Sequence, residues 1–246
     1  MIAPLLVVAL LIGVWEVIVQ AGVVNELLLP APSQVAAALW EDRAILGPDL
    51  LVTTWEVVLG LLAALVVGVG IAVAMHLWKP VERALRPLVV ASQALPIPIV
   101  APLIVFVLGF DLAPKIVVVA LICFFPIVVN VADGLRDSDP DARRVLRSLG
   151  ASRWQRLRLL DAWSALPAGF TGMKIAAAVA VIGAVLAEWA GSTSGLGHLV
   201  LTANSGLATD RAFAATVLLI AEALALYAIF SALERRVVSW SPRTAQ

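Results

Sequence analysis

"VVLGLLAALVVGVGIAVAM", residues 57–75, runs for 19 residues without a charge. A helix needs about 20 apolar residues to cross a bilayer core of roughly 30 Å, so this run sets the class of protein. Others match it. Residues 88–110 are uncharged for 23 positions and 116–132 for 17. Three more stretches carry one charge each: Glu16 within 2–19, Lys174 within 162–187 and Glu222 within 212–233. The 246-residue chain is 62% hydrophobic and 14% charged, with a mean hydropathy of +1.01, which excludes a soluble domain. The sequence therefore predicts an all-α, polytopic membrane protein forming a single membrane domain over 1–246. About six transmembrane helices are expected, roughly at 2–20, 50–77, 86–110, 114–133, 162–190 and 210–234.

Lysine and arginine concentrate in cytoplasmic loops. With the N-terminus inside, the even-numbered connections hold Lys79, Arg83 and Arg86, then Arg136, Arg143, Arg144, Arg147, Arg153, Arg156 and Arg158, and finally Arg235, Arg236 and Arg243. These are 13 of the 17 basic residues. The outer side keeps Arg43 and Arg211, with Lys115 at a helix boundary and Lys174 inside a span. Both termini and the loop 134–161 are thus expected in the cytoplasm. A formal net charge of zero gives no pull toward nucleic acid, and a lone cysteine, Cys123, excludes an internal disulfide. The first apolar run lacks a basic leader and a small-x-small cleavage site, so it reads as a retained helix.

The connections carry signals of their own. In "LPAPSQV", residues 29–35, Pro30 and Pro32 break the chain and Ser33 can cap a short amphipathic turn or two over 35–40. Small residues recur every fourth position at Gly60, Ala64, Gly68 and Ala72, again at Gly172, Ala176, Ala180 and Ala184, and in a second row at Gly183, Ala187 and Gly191. Such stripes let helices approach closely in lipid, and bundle packing is a simpler reading than a dedicated dimer face. Pro96, Pro98 and Pro102 crowd the third run. Each removes a backbone donor and disfavours helix in the preceding residue. The freed carbonyls need neighbours or a wet cavity, so a broken helix beside a pathway is expected. Gln93, Pro96 and Asn130 are the candidate pathway groups there, with helix-to-helix hydrogen bonding as the competing account.

Between the fourth and fifth runs stands a basic segment, "RSLGASRWQRLRLL", residues 147–160. Upstream of it, Asp139 before Pro140 is an N-cap followed by proline at the first helical position. The helix should run to about Leu149, with Val145, Leu146 and Leu149 on one face. Gly150 should end it at positive φ. Ser152 and Gln155 then form a capping box for a second helix bearing Trp154, Leu157 and Leu160. A helix, glycine hinge and helix with one basic face admits three uses. A reader of a DNA groove is disfavoured in so short a segment tethered at both ends. An amphipathic patch on anionic lipid fits the arginines. A docking knob for a cytosolic partner accounts for more, since it uses the bend and Trp154.

This segment resembles the coupling loop of ATP-binding-cassette importer permeases, whose signature reads E-A-A, three residues, G, nine residues, I-x-L-P. Gly150 stands at the motif's glycine and Leu160 at its isoleucine, and "GASRWQ" is typical of the branch that includes sulfonate, nitrate, riboflavin and thiamine-precursor permeases. Arg144 replaces the glutamate, Val145 and Leu146 the alanines, Ala162 the leucine and Trp163 the proline. The likeness extends to "LPAPSQV", "FFPIVVNVADGL" and "LPAGFTGMKIA". It implies that Arg144, Arg147, Leu149, Gly150, Ala151, Ser152, Arg153, Trp154 and Leu157 meet a cytosolic ATPase, which supplies ATP and magnesium; this chain would hold no cofactor. It also implies an external substrate-binding protein, a second permease copy, expected to be identical, and residence in a bacterial inner membrane among lipid.

Residues 172–200, "GMKIAAAVAVIGAVLAEWAGSTSGLGHLV", look most like permeases for a pyrimidine precursor of thiamine, through "IGAV", "EW" and "GLG". Riboflavin, sulfonate and nitrate are the alternative cargoes. Two charges in this stretch are candidate pathway groups, since charges in membrane helices tend to face the bundle interior or water. Lys174 lies near the inner end and can equally snorkel. Glu188 lies at the expected outer mouth beside Trp189, itself a candidate contact or an interface anchor. Glu56, near an outer end, is expected to reach headgroups. His76 and His198 show no metal spacing, no P-loop motif is present, and no metal site or enzyme activity is expected. A self-sufficient secondary transporter or channel is the alternative of another class, though no inverted repeat is visible.

Overall fold

The computed structural model describes residues 2–240, with side chains from Leu6 onward, and Arg243 of the expected basic tail lies outside the described residues. The chain is helical throughout its regular parts. In order come α1 (Ile2–Gln20), α2 (Pro32–Glu41), α3 (Arg43–Leu77), α4 (Lys79–Ser92), α5 (Ile97–Leu108), α6 (Leu112–Arg136), α7 (Pro140–Ser148) and α8 (Arg153–Arg156). A π-turn (Leu157–Asp161) joins α8 to α9 (Ala162–Trp189), followed by α10 (Leu196–Ser205) and α11 (Thr209–Val237). Among the described residues, α3, α6, the continuous run Arg153–Trp189 and α11 are long and apolar enough to cross a membrane.

The third expected span is two helices. α4 and α5 meet at 104°, and they count as a fifth span only if taken together. The break falls where the proline run predicts it: Pro96 precedes α5, Pro98 lies in its first turn and Pro102 inside it. The basic half, α4, is strongly amphipathic and the other half, α5, is apolar. The first expected span is the shorter apolar stretch of α1, described over Leu6–Gln20.

α3 begins at Arg43 rather than near residue 50. Its 35 residues rise about 52 Å at 1.5 Å each, well beyond a roughly 30 Å apolar layer. The overhang lies at its N-terminal end. Before it, α2 is capped at its own start by Gln34, which accepts from the Ala31 N–H at 2.8 Å, while Ser33 does not cap. Ser33 instead donates its N–H and hydroxyl to Glu16 at 3.0 and 2.7 Å, tying α1 to α2. Arg211 grips Asp42 with two bonds, 2.7 and 2.9 Å, which fixes the start of α11 to the turn between α2 and α3.

The core is the triple packing of α3, α6 and α9. The rows that begin at Gly60 on α3 and at Gly172 on α9 face α6. A Cβ on Gly68 would sit 2.9 Å from Ile127 Cγ2, and one on Gly172 would sit 2.7 Å from the Pro126 carbonyl. Ala64, Ala72, Ala176, Ala180 and Ala184 are fully or almost fully buried with them. Close backbone approach gains dispersion contacts where lipid supplies no hydrophobic drive. The stripes therefore build the bundle's interior. Large apolar side chains such as Val66 and Phe106 point outward, as expected of a surface solvated by hydrocarbon.

Candidate functional site

The segment between α6 and α9 projects from the bundle as a small knob. Asp139 caps α7 by accepting from the Asp141 N–H at 2.8 Å. Gly150 has φ +75°, with nothing within 4 Å of where a Cβ would stand. The chain needs that left-handed residue to reverse out of α7. Ser152 and Gln155 then cap α8 reciprocally, at 3.2 and 2.7 Å. Neither α7 nor α8 has a buried side chain. Leu149 is 76% exposed and Trp154 59%, so the apolar tip of the knob is uncovered. Arg144, Arg147, Arg153 and Ser152 are exposed around it, with Ala151 half-buried and Leu157 buried at its root. Arg144 pairs with Asp141 on α7 itself. The face is basic, apolar at its tip and bent at one glycine, a shape suited to a groove on another protein.

The root of the knob is polar and was not legible in the sequence. Asp161, 2% exposed, ends the π-turn. Its Oδ1 accepts from the Ser138 hydroxyl at 2.6 Å and from the Arg143 guanidinium at 2.9 Å. His76 Nε2, at the end of α3, donates to Oδ2 at 2.9 Å. Arg143 also donates to the Leu135 carbonyl at 3.1 Å, and Arg153 to the Leu77 carbonyl at 3.0 Å. The signal available was one acid, Asp161, standing alone in "RLLDAW".

At the opposite end a second polar cluster closes the bundle. Glu188 was expected at an open outer mouth, but it is 1% exposed. The Thr53 hydroxyl donates to its Oε1 at 2.7 Å and the His198 N–H to its Oε2 at 3.0 Å. Gly195, at φ +107°, and Gly197 leave the space for that carboxyl, since a Cβ on Gly197 would lie 2.9 Å from Oε2. Asp49 accepts from the Gly195 N–H at 2.9 Å, and Thr53 accepts from the Leu196 N–H at 2.9 Å. These bonds secure α10, an element absent from the expected set. Glu56 does not reach headgroups: it is fully buried, and Lys115 donates to it at 2.6 Å and to the Ser192 hydroxyl at 2.7 Å.

The remaining candidates are scattered. Gln93 and Pro96 lie exposed at the bend between α4 and α5. Asn130, half-buried, donates to the Pro126 carbonyl at 2.7 Å, one turn back on α6, and no hydrogen bond joins it to Gln93 among the described residues. Lys174 donates to Glu234 of α11 at 2.8 Å, a helix-to-helix ion pair rather than a snorkelling head. Trp189, about half exposed, donates to the Gly197 carbonyl at 2.9 Å beside the α10 turn. No group of three or more His, Cys, Asp and Glu suited to a metal occurs among the described residues.

A family described as "Binding-protein-dependent transport system inner membrane component" matches residues 56–239. A "Probable ABC transporter permease protein" of Haemophilus influenzae is 34% identical over 241 residues, 98% of each chain. The "Formylaminopyrimidine transport permease protein ThiX" of Halalkalibacterium halodurans is 34% identical over 197 residues, 79% of this chain and 78% of that one. The "Riboflavin transport system permease protein RibX" of Chloroflexus aurantiacus is 34% identical over 240 residues, 94% of this chain and 87% of that one.

Proposed function

We propose a specific place in an importer for this chain, which belongs to the binding-protein-dependent transport system inner membrane components and is an ABC importer permease of the sulfonate, nitrate, riboflavin and thiamine-precursor branch. It is a multi-pass membrane protein, a transport subunit rather than a catalytic one. In the proposed assembly two identical copies enclose the pathway, the knob-bearing end and both termini face the cytoplasm, and an ATPase dimer holds the two knobs. ATP binding draws the knobs together and opens the pathway outward to a substrate-binding protein. Hydrolysis of ATP, with its magnesium, in the partner resets it.

The observation that carries this reading is the uncovered tip of the knob. Leu149 and Trp154 lie exposed on either side of a glycine hinge, on a segment too charged to sit in lipid. Apolar anchors of this kind are where interface energy concentrates. For cargo we propose a small polar heterocycle of the thiamine pyrimidine-precursor kind, supported by the likeness to the formylaminopyrimidine permease.

Co-purification with the cognate ATP-binding-cassette ATPase tests the first part. Wild type is expected to co-elute and to alter ATP hydrolysis, and a Gly150→Pro, Trp154→Glu double variant is expected to do neither. Failure of wild type to hold the ATPase overturns the reading in favour of a self-sufficient transporter. Uptake by proteoliposomes carrying the full complex, with radiolabelled formylaminopyrimidine, riboflavin and an alkanesulfonate in turn, tests the second. Uptake of only riboflavin or only the sulfonate moves the assignment to that cargo.

A further inference from the structure

We propose that Asp161 is the positioning residue through which movement of the knob reaches α3, an inference that rests on the coupling role proposed above. A moving knob must pull on something. α7 has no fully buried side chain, and its apolar packing is limited to the half-buried Ala142 and Leu146. Its polar attachment is the Arg143 guanidinium, which spans the Leu135 carbonyl at the end of α6, the Ser138 hydroxyl and the Asp161 carboxylate. Asp161 in turn reaches His76 on α3 at 2.9 Å. One carboxylate thus receives donors from α7, from the α6–α7 turn and from α3, while its own backbone begins α9.

A π-turn marks the position of this carboxylate. Ala162 donates its N–H to Leu157 five residues back, where an α-helix would bond four back. Leu157 and Asp161, 5% and 2% exposed, both face the bundle. Single π-turns inside α-helices cluster at functional positions. α8 reaches the same end of α3 by a separate bond, Arg153 to the Leu77 carbonyl at 3.0 Å. Both arms of the knob therefore converge on the last turn of α3, and the arm from α7 passes through Asp161. Beyond that turn α3, α6 and α9 are packed almost backbone to backbone, so a displacement at His76 is carried by a stiff unit.

The test uses the complete complex of permease, ATPase and binding protein in proteoliposomes and reads substrate transported per ATP hydrolysed. A purely architectural residue would change the amount of complex and leave that ratio alone. Asp161→Asn and His76→Phe, which removes the ring donor, are expected to keep ATPase co-elution while lowering the ratio at least about fivefold, the lower range of typical coupling between sites. The two changes together are expected to do no more than either alone, since both cut one connection. An unchanged ratio in either variant, or a double effect equal to the product of the singles, overturns the proposal. Should Asp161→Asn fail to reach the membrane, His76→Phe decides by the same ratio, with His76→Gln, which keeps a donor for Asp161, expected to restore it. Wild type is the control: if it binds no ATPase, the coupling role itself fails and this inference falls with it.

Discussion

Lys115→Met is expected to destabilise the protein severely, and pairing it with Glu56→Leu is expected to restore most of the loss. Lys115 supplies the bond that Glu56 Oε1 has, at 2.6 Å, and Glu56 Oε2 has no partner. The carboxyl is 0% exposed, so water cannot replace the missing ammonium. Removing one partner of a buried pair typically costs about 3–5 kcal/mol, whereas replacing both by apolar groups of similar size is often neutral or better. At about 2–4 °C per kcal/mol for a chain of this length, the single variant should melt about 6–20 °C lower. Detergent-solubilised protein heated in steps and passed over a size-exclusion column gives the midpoint from the surviving monodisperse peak. The Ser192 hydroxyl also loses its donor from Lys115, so rescue should stop slightly short of wild type. A single variant within about 2 °C of wild type, less than 1 kcal/mol on the same scale, would refute the reasoning. So would a double variant as unstable as the single.

Three further outcomes follow from local geometry. Gly150→Ala should cost only the left-handed backbone term, about 1–2 kcal/mol, because its surroundings are empty; a melting shift of a few degrees with retained ATPase binding would bear this out. Gly195→Ala adds overlap with the Glu188 carboxyl to a similar backbone cost, about 2–6 kcal/mol in all, and should expose the α10 amides to hydrogen exchange. Gly68→Leu should separate α3 from α6 at Ile127 and lower the melting midpoint by several degrees, through an overpacking cost of about 1–3 kcal/mol or more.

Much of the scaffold was legible because it depends on local signals. Uncharged runs mark the long helices wherever the chain must hide its backbone from hydrocarbon. The cap at Asp139, the hinge at Gly150 and the capping box at Ser152 are each written in a few adjacent residues. The proline run announces a break in the third apolar stretch, but a 104° turn depends on what α4 and α5 pack against, which no local pattern holds. α10 was missed because "GLGHLVLTANS" has neither the length nor the periodicity of a span. The candidate site divides in the same way. The knob is contiguous and could be read, whereas Lys115 and Glu56 stand 59 residues apart and His76 and Asp161 stand 85 apart. Glu188 looked like a mouth residue because its neighbours Trp189 and Gly191 are those of a loop edge; only the fold shows Thr53 and the His198 amide already occupying it.

The π-turn at Leu157–Asp161 also decides where the longest helical run can change its length. Each residue of an α-helix rotates its successor by about 100°. Deleting one residue from the α-helical part of this run would therefore swing everything N-terminal to it by about that angle relative to α9. A π-turn instead takes up one extra residue by widening a single turn. Deleting one residue within it would let it relax to ordinary helix, with the tip bearing Trp154 and Leu149 still aimed as before. The bearing of the knob is thus tolerant of a one-residue change in length at this turn and intolerant of the same change on either side of it.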